Sequence, residues 1–456
     1  MDDDGTQKVA LIIACLAAFI SPFMGSSINI ALPTIGQEFH MDAVMLGWVA
    51  TAYLLSSAMC LLPFGRAADI YGRKKIFTYG ISVFTIGSLL SALATSASML
   101  IVFRVIQGMG GAMIFGTSVA ILTSVYPPQE RGRVLGINAA FVYLGLSLGP
   151  FLGGFLTHHL GWRSIFYIYI PFGALIIFLI FWKLKGEWAG ARGEKMDVPG
   201  AINYSVSLVL LIYGLSKIPA VSGICLFFIG LVGLMIFLWW EARAKSPIFN
   251  IRAFRTNIVF AFSNLAALIH YSATFAVTFL LSLYLQYNKG LNAQEAGLVL
   301  ISQPLMMAIF SPIAGRLSDR IEPRLVSSLG MTFTCLALFL LSLIQRQTSL
   351  AYLVVVLLFS GFGYALFSSP NTNAVMSSVE PKFYGVASAT LGSMRQVGMM
   401  FSMGSAMMVF AIFIGKVQIT PDLYAMFLKS AKILFVSFGI LCIAGIFSSM
   451  ARGKIH

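Results

Sequence analysis

The chain has 456 residues, of which 58% are hydrophobic and only 10% are charged, and its mean hydropathy is +0.88. Soluble globular chains carry about 25% charged residues, so this composition excludes an ordinary soluble domain and a disordered chain. The formal net charge of +14 comes from basic residues in short loops between apolar runs. This pattern argues against nucleic acid as a partner and for the lipid bilayer as the surroundings of the chain.

Apolar segments long enough to cross a bilayer recur along the whole chain. A transmembrane helix needs about 20 mostly apolar residues. Fourteen segments meet this length, and together they predict an all-α integral membrane protein. They are 9–32, 45–64, 76–96, 98–124, 135–158, 164–182, 198–216, 222–240, 257–286, 292–313, 325–344, 350–374, 385–414 and 430–450.

The loops between these segments predict the orientation of the chain. The start, Met1-Asp2-Asp3-Asp4, is acidic and does not resemble a signal peptide. With the N-terminus inside, the loops on the cytoplasmic side hold 21 of the 30 basic residues and the loops on the other side hold 7. Basic residues concentrate on the cytoplasmic side of membrane proteins. We therefore expect a multi-pass protein of the cell (plasma or inner) membrane with both termini in the cytoplasm.

The loop between the second and third segments reads GRAADIYGRKK, from Gly65 to Lys75. Gly65 and Gly72 allow tight turns at the membrane face. Asp69 could face the positive end of another helix, and Arg73 helps to hold the loop on the basic side of the membrane. An ordinary basic loop does not explain this order of glycine, aspartate, glycine and basic residues.

The fourth segment carries Arg104 and Gln107 within hydrocarbon-like sequence. A charge at mid-helix costs roughly 2.5–3.5 kcal/mol on insertion scales. Arg104 lies about 11 Å from the end of the segment at 1.5 Å per residue, so its side chain reaches the surface with difficulty. It is expected either to face a cavity or to be a structural arginine bonded to backbone carbonyls of the first helix.

The fifth segment contains small residues at every fourth position. Gly145, Gly149 and Gly153 form a flat stripe that lets another helix approach closely, Gly154 follows the stripe, and Pro150 is expected to bend the helix. Plain close packing and a gating role both fit this pattern.

Several features recur about 250 residues later. Gly65 recurs as Gly315, with Asp319 and Arg320 after it, and Gly108 and Gly145 recur as Gly361 and Gly398. The repeat predicts two six-helix bundles, 1–184 and 246–456, with an inserted helix hairpin and its flanking loops at 185–245. Repeated halves that enclose a site at mid-membrane are the architecture of secondary transporters.

The segments contain few polar groups that could form such a site. They include Asn29, His270, Asn371, Asn373 and Arg395. We expect Arg395 to be the counterpart of Arg104 in the second half. All sixteen Asp and Glu residues fall in loops or at segment ends. His270 is the group among them that titrates near neutral pH, and it is either a packing residue or a proton-coupling residue.

The loop Gly65–Lys75 resembles the signature loop of the major facilitator superfamily, and Arg104-Val-Ile-Gln107-Gly108 resembles its fourth-helix motif. The stretch from Gly145 to Gly154 resembles the fifth-helix motif of its antiporters. Asn29-Ile-Ala-Leu-Pro33, Trp162-Arg163 and Asp197-Val-Pro-Gly200 make the chain similar to the fourteen-helix drug–proton antiporter branch. The resemblance implies the major facilitator fold, a gating role for the loop and fifth-helix residues, and a role for Arg104 in coupling or substrate response.

One departure from the family changes the expected substrate. Antiporters of this branch commonly carry an aspartate before the Asn-x-Ala-Leu-Pro segment, where this chain has Met24. Two buried cations without a buried anion favour a neutral or anionic substrate over a multiply charged cation.

These features predict a secondary-active exporter of drug-like amphipathic molecules. It would use proton antiport and alternating access, act as a monomer, and need no cofactor or metal. The expected substrate and coupling residues are Arg104, Gln107, Asn29, His270, Asn371, Asn373 and Arg395. An exporter of an anionic or neutral metabolite and a non-transporting receptor or scaffold are the alternatives. A membrane enzyme is disfavoured because no nucleophile–base pair, metal-ligand spacing or phosphate loop is found.

Overall fold

The computed structural model describes residues 3–244, 246–249, 251–318, 320–380, 384–415 and 417–453. In this part of the chain, fourteen helices are long and apolar enough to cross a membrane. The fold is all-helical, and the expected number of spans is confirmed.

The first seven helices form one group. They are α1 (Asp3–Glu38), α2 (Ala43–Tyr71), α3 (Arg73–Ala92), α4 (Ala97–Val125), α5 (Pro128–Leu160), α6 (Ser164–Tyr167) and α7 (Tyr169–Lys183). Helices α6 and α7 together make the sixth span. Within the group α1 packs on α5, and α4 packs on both α2 and α3.

The next helices are α8 (Val198–Lys217) and α9 (Val221–Glu241), which form the hairpin, and the short α10 (Ile251–Thr256). The hairpin turn at Ile218–Ala220 lies where Pro219 predicts it, whereas α10 was not expected from the sequence. Helix α8 packs against α2 and against a helix of the second group.

The second group follows the same order as the first. It contains α11 (Ile258–Leu283) with a π-helical extension (Tyr284–Asn288), α12 (Ala293–Leu300), α13 (Ser302–Ser318), α14 (Pro323–Ser342), α15 (Leu350–Ser377), α16 (Tyr384–Phe413) and α17 (Tyr424–Ala451). Helices α12 and α13 form one span, and α11 packs on α16 as α1 packs on α5.

Helix starts follow ordinary capping chemistry. The side chains of Asp42, Ser96 and Asn257 accept hydrogen bonds from backbone N–H groups in the first turns of α2, α4 and α11. Asn292 and Glu295 form a reciprocal capping box on α12. These caps satisfy N–H groups that would otherwise lack partners at the ends of the spans.

Glycines at repeated positions make equivalent close contacts in the two groups. A Cβ added to Gly108 would lie 2.4 Å from the carbonyl oxygen of Tyr53, and one added to Gly361 would lie 2.2 Å from that of Gln303. Likewise, a Cβ on Gly145 would lie 2.1 Å from Phe19 O, and one on Gly398 would lie 2.6 Å from Leu268 O. Each position needs a residue without a side chain because another helix backbone lies against it.

Because the described chain has fourteen spans, an even number, the start of α1 and the end of α17 lie at the same end of the bundle. We call this end the termini face and the other end the opposite face. Hydrogen bonds join the two groups from mid-span toward the opposite face. They include Tyr143 OH with Ser368 Oγ (3.0 Å), Gln396 Nε2 to Ser57 Oγ (3.2 Å), Ser147 Oγ to Pro304 O (2.9 Å), Ser282 Oγ to Asn29 O (2.7 Å) and Gln286 Nε2 to Ile30 O (2.9 Å).

Toward the termini face, the facing helices leave open space. A Cβ added to Gly65 of α2 or Gly136 of α5 would meet nothing within 4 Å. A Cβ added to Gly392 of α16 would meet only Leu61 of α2, at 3.9 Å. The two groups therefore touch closely on the opposite-face side and are more loosely packed at these positions on the termini side.

Candidate functional site

Arg104 is fully enclosed within the first group of helices. Its side chain is 1% exposed, and its guanidinium lies 4.6 Å from the ring centroid of Tyr53. Its Nε donates to Val49 O at 3.1 Å, and its Nη1 donates to Gln107 Oε1. The carbonyl that accepts from Nε belongs to α2. This contact supports a structural role for Arg104, but the partner helix is α2 and not the expected α1.

Gln107 continues this network, which we call the Arg104 cluster. Its amide Nε2 contacts Ser88 Oγ and Met24 Sδ, each at 2.7 Å. Met24 thus occupies the place where related antiporters carry an aspartate, and its sulfur atom receives the amide of Gln107. Asn29 lies further along α1, where its carbonyl oxygen binds Ser282 of α11 and its side-chain oxygen is buried without a partner.

Arg395 lies at mid-span on α16, where the two groups meet. Its Nη2 donates to Thr372 Oγ1 at 2.6 Å, and its Nε is buried and has no acceptor among the residues that the structure describes. Its guanidinium lies 5.6 Å from the ring centroid of Tyr271. Tyr143 reaches this region from α5 and bonds Ser368 on the same helix as Thr372.

The repeat does not make Arg395 equivalent to Arg104, contrary to the expectation. The offset of 253 residues that relates Gly108 to Gly361 assigns Leu357 to Arg104 and Val142 to Arg395. Arg395 therefore lies on the counterpart of α5, and only Arg395 of the two arginines lies between the groups.

His270 packs next to this region on α11. Its ring is fully buried, stacks on Phe367 with centroids 4.0 Å apart, and meets Tyr364 edge-on at 4.8 Å. Neither ring nitrogen has a hydrogen-bond partner among the described residues. The ring is therefore an aromatic packing element with two unused polar atoms.

Asn371 and Asn373 lie nearer the termini face and do not join Arg395. Asn371 Oδ1 accepts from Arg452 Nη1 at 2.9 Å, and Asn373 Nδ2 donates to Ser318 Oγ at 2.9 Å. Arg452, which the sequence placed among the loop cations, is fully buried. Its Nη1 also donates to Ser263 Oγ at 3.2 Å, and its Nη2 donates to Pro323 O and Ser449 Oγ, both at 3.0 Å, so it ties together α11, α14, α15 and α17.

The glycines of α5 face two different neighbours. Gly145, Gly149 and Gly153 pack on Phe19, Ser26 and Ser27 of α1, within their own group. By contrast, a Cβ on Gly154 would lie 2.5 Å from Ala293 O, and one on Gly297 would lie 2.2 Å from Pro150 O. Pro150 and Gly154 therefore add backbone contacts between the groups, while the stripe itself joins α5 to α1.

The stretch Gly65–Lys75, predicted as a loop, is helical except at Gly72, because α2 continues to Tyr71 and α3 begins at Arg73. Contacts from its own half and from the segment after α7 hold this stretch in place. Asp69 Oδ1 accepts from Arg73 Nε at 2.9 Å and Nη2 at 2.7 Å. Gly72 has φ +119, and the carboxylate of Glu187 accepts from the backbone N–H of Lys74 at 2.9 Å. Asp69 therefore pairs with its neighbouring arginine, and Glu187 covers the start of α3.

The matching loop in the second half is described only in part. Gly315 packs near Ser369 Oγ, and the backbone N–H of Arg320 donates to Leu317 O at 3.1 Å. Asp319 lies outside the described residues.

Glu241 is a buried acid that the sequence reading assigned to a helix end. It is 3% exposed, and its Oε2 accepts from Phe249 N at 2.9 Å. Its position in the sequence, at the end of a tryptophan-rich helix, does not indicate that its side chain is buried.

The fold is that of a multi-pass α-helical membrane protein with two similar groups of spans and an inserted hairpin. The profile of the Major Facilitator Superfamily matches residues 14–403 and, in a second match, 263–453. The chain belongs to this superfamily, and the resemblance drawn from its motifs is confirmed.

Characterised relatives carry transporter names. The chain is 32% identical over 401 residues to the riboflavin transporter RibZ of Clostridioides difficile, covering 87% of this chain and 86% of that protein. It is 31% identical over 400 residues to the multidrug resistance protein Stp of Mycobacterium tuberculosis, covering 86% of this chain and 74% of that protein. The chain is a membrane transporter and not an enzyme.

A solved structure of a peptide transporter, POT in complex with sulfate, has the same fold. It covers 100% of both chains with a TM-score of 0.70 and 14% sequence identity. The similarity extends to the complete arrangement of helices.

Proposed function

We propose that the chain exports amphipathic small molecules across the cell membrane by alternating access, as a monomer with both termini in the cytoplasm. The observation that carries this proposal is the uneven contact between the two groups of helices. They are joined by hydrogen bonds toward the opposite face, while toward the termini face a Cβ on Gly65 or Gly136 would meet nothing within 4 Å and one on Gly392 would meet only Leu61. With cytoplasmic termini, this is a state open to the cytoplasm.

Relatives and loop charges support the direction of transport. The chain is similar to proteins named for multidrug resistance and to the cephamycin export protein CmcT of Amycolatopsis lactamdurans, at 32% identity over 417 residues. The excess of basic residues in the termini-side loops supports cytoplasmic termini. A substrate would enter from the cytoplasm, bind between the groups, and leave after the opposite face opens.

Closure of each face can be tested by replacing a glycine at that face with leucine. Gly297→Leu places a side chain where Pro150 O lies, so the contact at the opposite face cannot form. Gly136→Leu fills open space on the termini side and leaves the described contacts intact. Both variants are expected to abolish flux, but only Gly297→Leu is expected to increase hydrogen exchange at residues 282–292. Equal exchange in the two variants would contradict alternating access through these contacts.

We propose proton antiport as the coupling, with His270 as the titrating group. Its support is the motif resemblance to the drug–proton antiporter branch and a buried imidazole near mid-span whose two nitrogens have no partner among the described residues. The ring faces Tyr271 and Tyr364, and the charge of Arg395 lies nearby on α16. A proton on His270 would therefore be sensitive to whether a substrate neutralises Arg395.

The test uses purified protein in vesicles that are acidic inside. Uptake is measured for riboflavin, 2-naphthoate and ethidium, which are neutral, anionic and cationic aromatic compounds. We expect gradient-driven uptake of at least one compound by the wild type, loss of the gradient dependence in His270→Gln, and no change in His158→Gln at the opposite face. Uptake that ignores both the gradient and His270→Gln excludes proton coupling through this residue, and uptake no higher than in protein-free vesicles for all three excludes the proposed export.

The second candidate is export of an anionic or neutral metabolite without a membrane carboxylate. The Nε of Arg395, which has no acceptor among the described residues, favours it, as does the similarity to a protein named as a riboflavin transporter. Selective uptake of riboflavin or 2-naphthoate over ethidium would favour this candidate.

A further inference from the structure

We infer that the residues around Arg395 form a binding site for a flat aromatic molecule that carries one anionic group, with the guanidinium binding the anion. The inference rests on the proposed transport function and specifies its substrate. The residues are Arg395, Tyr143, Tyr271, Tyr364 and Thr372, which we call the Arg395 site. They come from α5, α11, α15 and α16.

The guanidinium of Arg395 has donor capacity left over. Thr372 Oγ1 accepts from Nη2 at 2.6 Å, whereas Nε is buried and has no acceptor. Thr372 Oγ1 itself donates to Ser368 O at 2.7 Å, so it is bonded within its own helix in any case. A buried charged donor without an acceptor is costly, and a ligand oxygen at Nε would remove that cost.

No protein anion neutralises Arg395 in the described part of the chain. The ion pairs there are Arg66–Glu194, Arg73–Asp69 and Arg163–Glu38, all at the ends of spans or in loops. Arg395 has a hydroxyl and aromatic rings around it instead. A positive charge at mid-span without a counter-ion is most readily stabilised by an anion that arrives with the substrate.

The walls of the site are aromatic and apolar. Tyr271 and Tyr364 meet edge-to-face with ring centroids 5.6 Å apart, and Tyr143, Met307 and Met399 pack with them. Tyrosine faces and methionine side chains favour flat rings. The anion therefore has to be attached to an aromatic body, as in an aromatic carboxylate.

The site lies on the route from the looser side of the molecule. Gly392 precedes Arg395 by about one helical turn on α16 and has only Leu61 near it. On the other side of Arg395, Gln396 bonds Ser57 of the first group at 3.2 Å. A molecule that enters from the termini face would thus meet Arg395 where the groups close together.

Binding to the purified protein tests the charge preference. The probes are 2-naphthoate, 2-naphthylmethanol and 2-naphthylmethylammonium, which share one ring system and differ in charge, and calorimetry measures their affinities. We expect the anion to bind about 10- to 100-fold more tightly than the alcohol, the range given by a hydrogen bond to a charged group. Equal affinity of anion and alcohol, or tighter binding of the cation, would overturn the inference.

Variants separate the site from its surroundings. Arg395→Gln is expected to remove the preference for naphthoate, Arg395→Lys to retain part of it, and Arg346→Gln, which removes an exposed loop cation, to leave it unchanged. A preference that persists in Arg395→Gln overturns the inference, and if Arg395→Gln does not fold, loss of the preference in Arg395→Lys and Arg346→Gln alike overturns it.

Flux distinguishes this inference from the proposed function. Selective naphthoate binding without uptake into vesicles would contradict the proposed export and leave the binding site standing. Uptake of all three probes at equal rates would contradict the Arg395 site and leave export standing.

Discussion

The Arg104 cluster and the Arg395 site are each built around an arginine, but the two guanidinium groups differ in how many of their donors have a hydrogen-bond partner. Arg104 bonds Val49 O and Gln107, and Gln107 bonds Ser88 in turn, so the cluster is closed within one group of helices. Arg395 bonds one hydroxyl and keeps a buried Nε without an acceptor.

This difference distinguishes an arginine that has a structural role from an arginine whose charge is available to a ligand. A guanidinium whose donors are met by its own half stabilises that half in every state of the transport cycle. A guanidinium with a free donor between the halves gains a partner only when a ligand or a new conformation supplies one. The Arg104 cluster is therefore expected to control stability, and the Arg395 site to control binding.

The largest expected effect is on the stability of Arg104→Met. Methionine keeps the apolar stem but removes the donors, leaving Gln107 Oε1 buried without its charged partner and Val49 O without its bond from the guanidinium. We expect a loss of about 2–4 kcal/mol in the free energy of unfolding, measured by denaturation of the purified protein in detergent.

Arg395→Met is the matched control for that measurement. It removes a buried donor that has no acceptor, and Thr372 Oγ1 keeps its bond to Ser368 O. We expect a change within about 1 kcal/mol. An equal loss of stability in the two variants would show that the comparison between the clusters is wrong.

Sequence patterns were sufficient for the fold because apolar length and loop charge are local properties. The fourteen spans and the superfamily motifs are both present in the structure and in the family comparison. The hairpin turn at Pro219 was also local. The short helix α10 was missed because its six residues are too few to produce a helical apolar pattern.

The site could be predicted only in part, because the hydrogen-bond partners of a buried polar group can come from residues that are far away in the sequence. Nothing near Arg104 in the sequence indicates that Val49 O would accept from it, and nothing near Arg452 indicates that Asn371 would bury it. The glycine stripe of α5 gave the correct close packing, but the partner helix, α1, is set by the tertiary arrangement.

An intermediate effect is expected from restoring an acid at the Arg104 cluster. Met24→Glu puts a carboxylate where the sulfur now receives Gln107 Nε2, close to the guanidinium. We expect this variant to fold, and we expect Met24→Glu combined with Arg104→Met to be less stable than the sum of the single changes. The coupling energy should be about 0.5–3 kcal/mol.

The same acid combined with a change at Arg395 tests whether the coupling is specific to the Arg104 cluster. Met24→Glu combined with Arg395→Met should show additive stabilities, because these residues lie in different groups of helices and share no partner. Coupling of equal size in both pairs would mean that the carboxylate senses overall charge and not the Arg104 cluster.

The smallest expected effect concerns the one hydroxyl bond at the Arg395 site that crosses between the groups. Tyr143→Phe removes the contact with Ser368 Oγ at 3.0 Å and keeps the aromatic wall. The expected loss of stability is about 0.5–1.5 kcal/mol, and naphthoate affinity should change less than in Arg395→Gln, because the ring stays and the guanidinium is untouched. Ser368→Ala removes the other partner of the same bond and should give the same result. A larger loss of naphthoate affinity in Tyr143→Phe than in Arg395→Gln would mean that the phenol of Tyr143, and not the guanidinium of Arg395, recognises the anion. The free donor of Arg395 would then no longer explain binding.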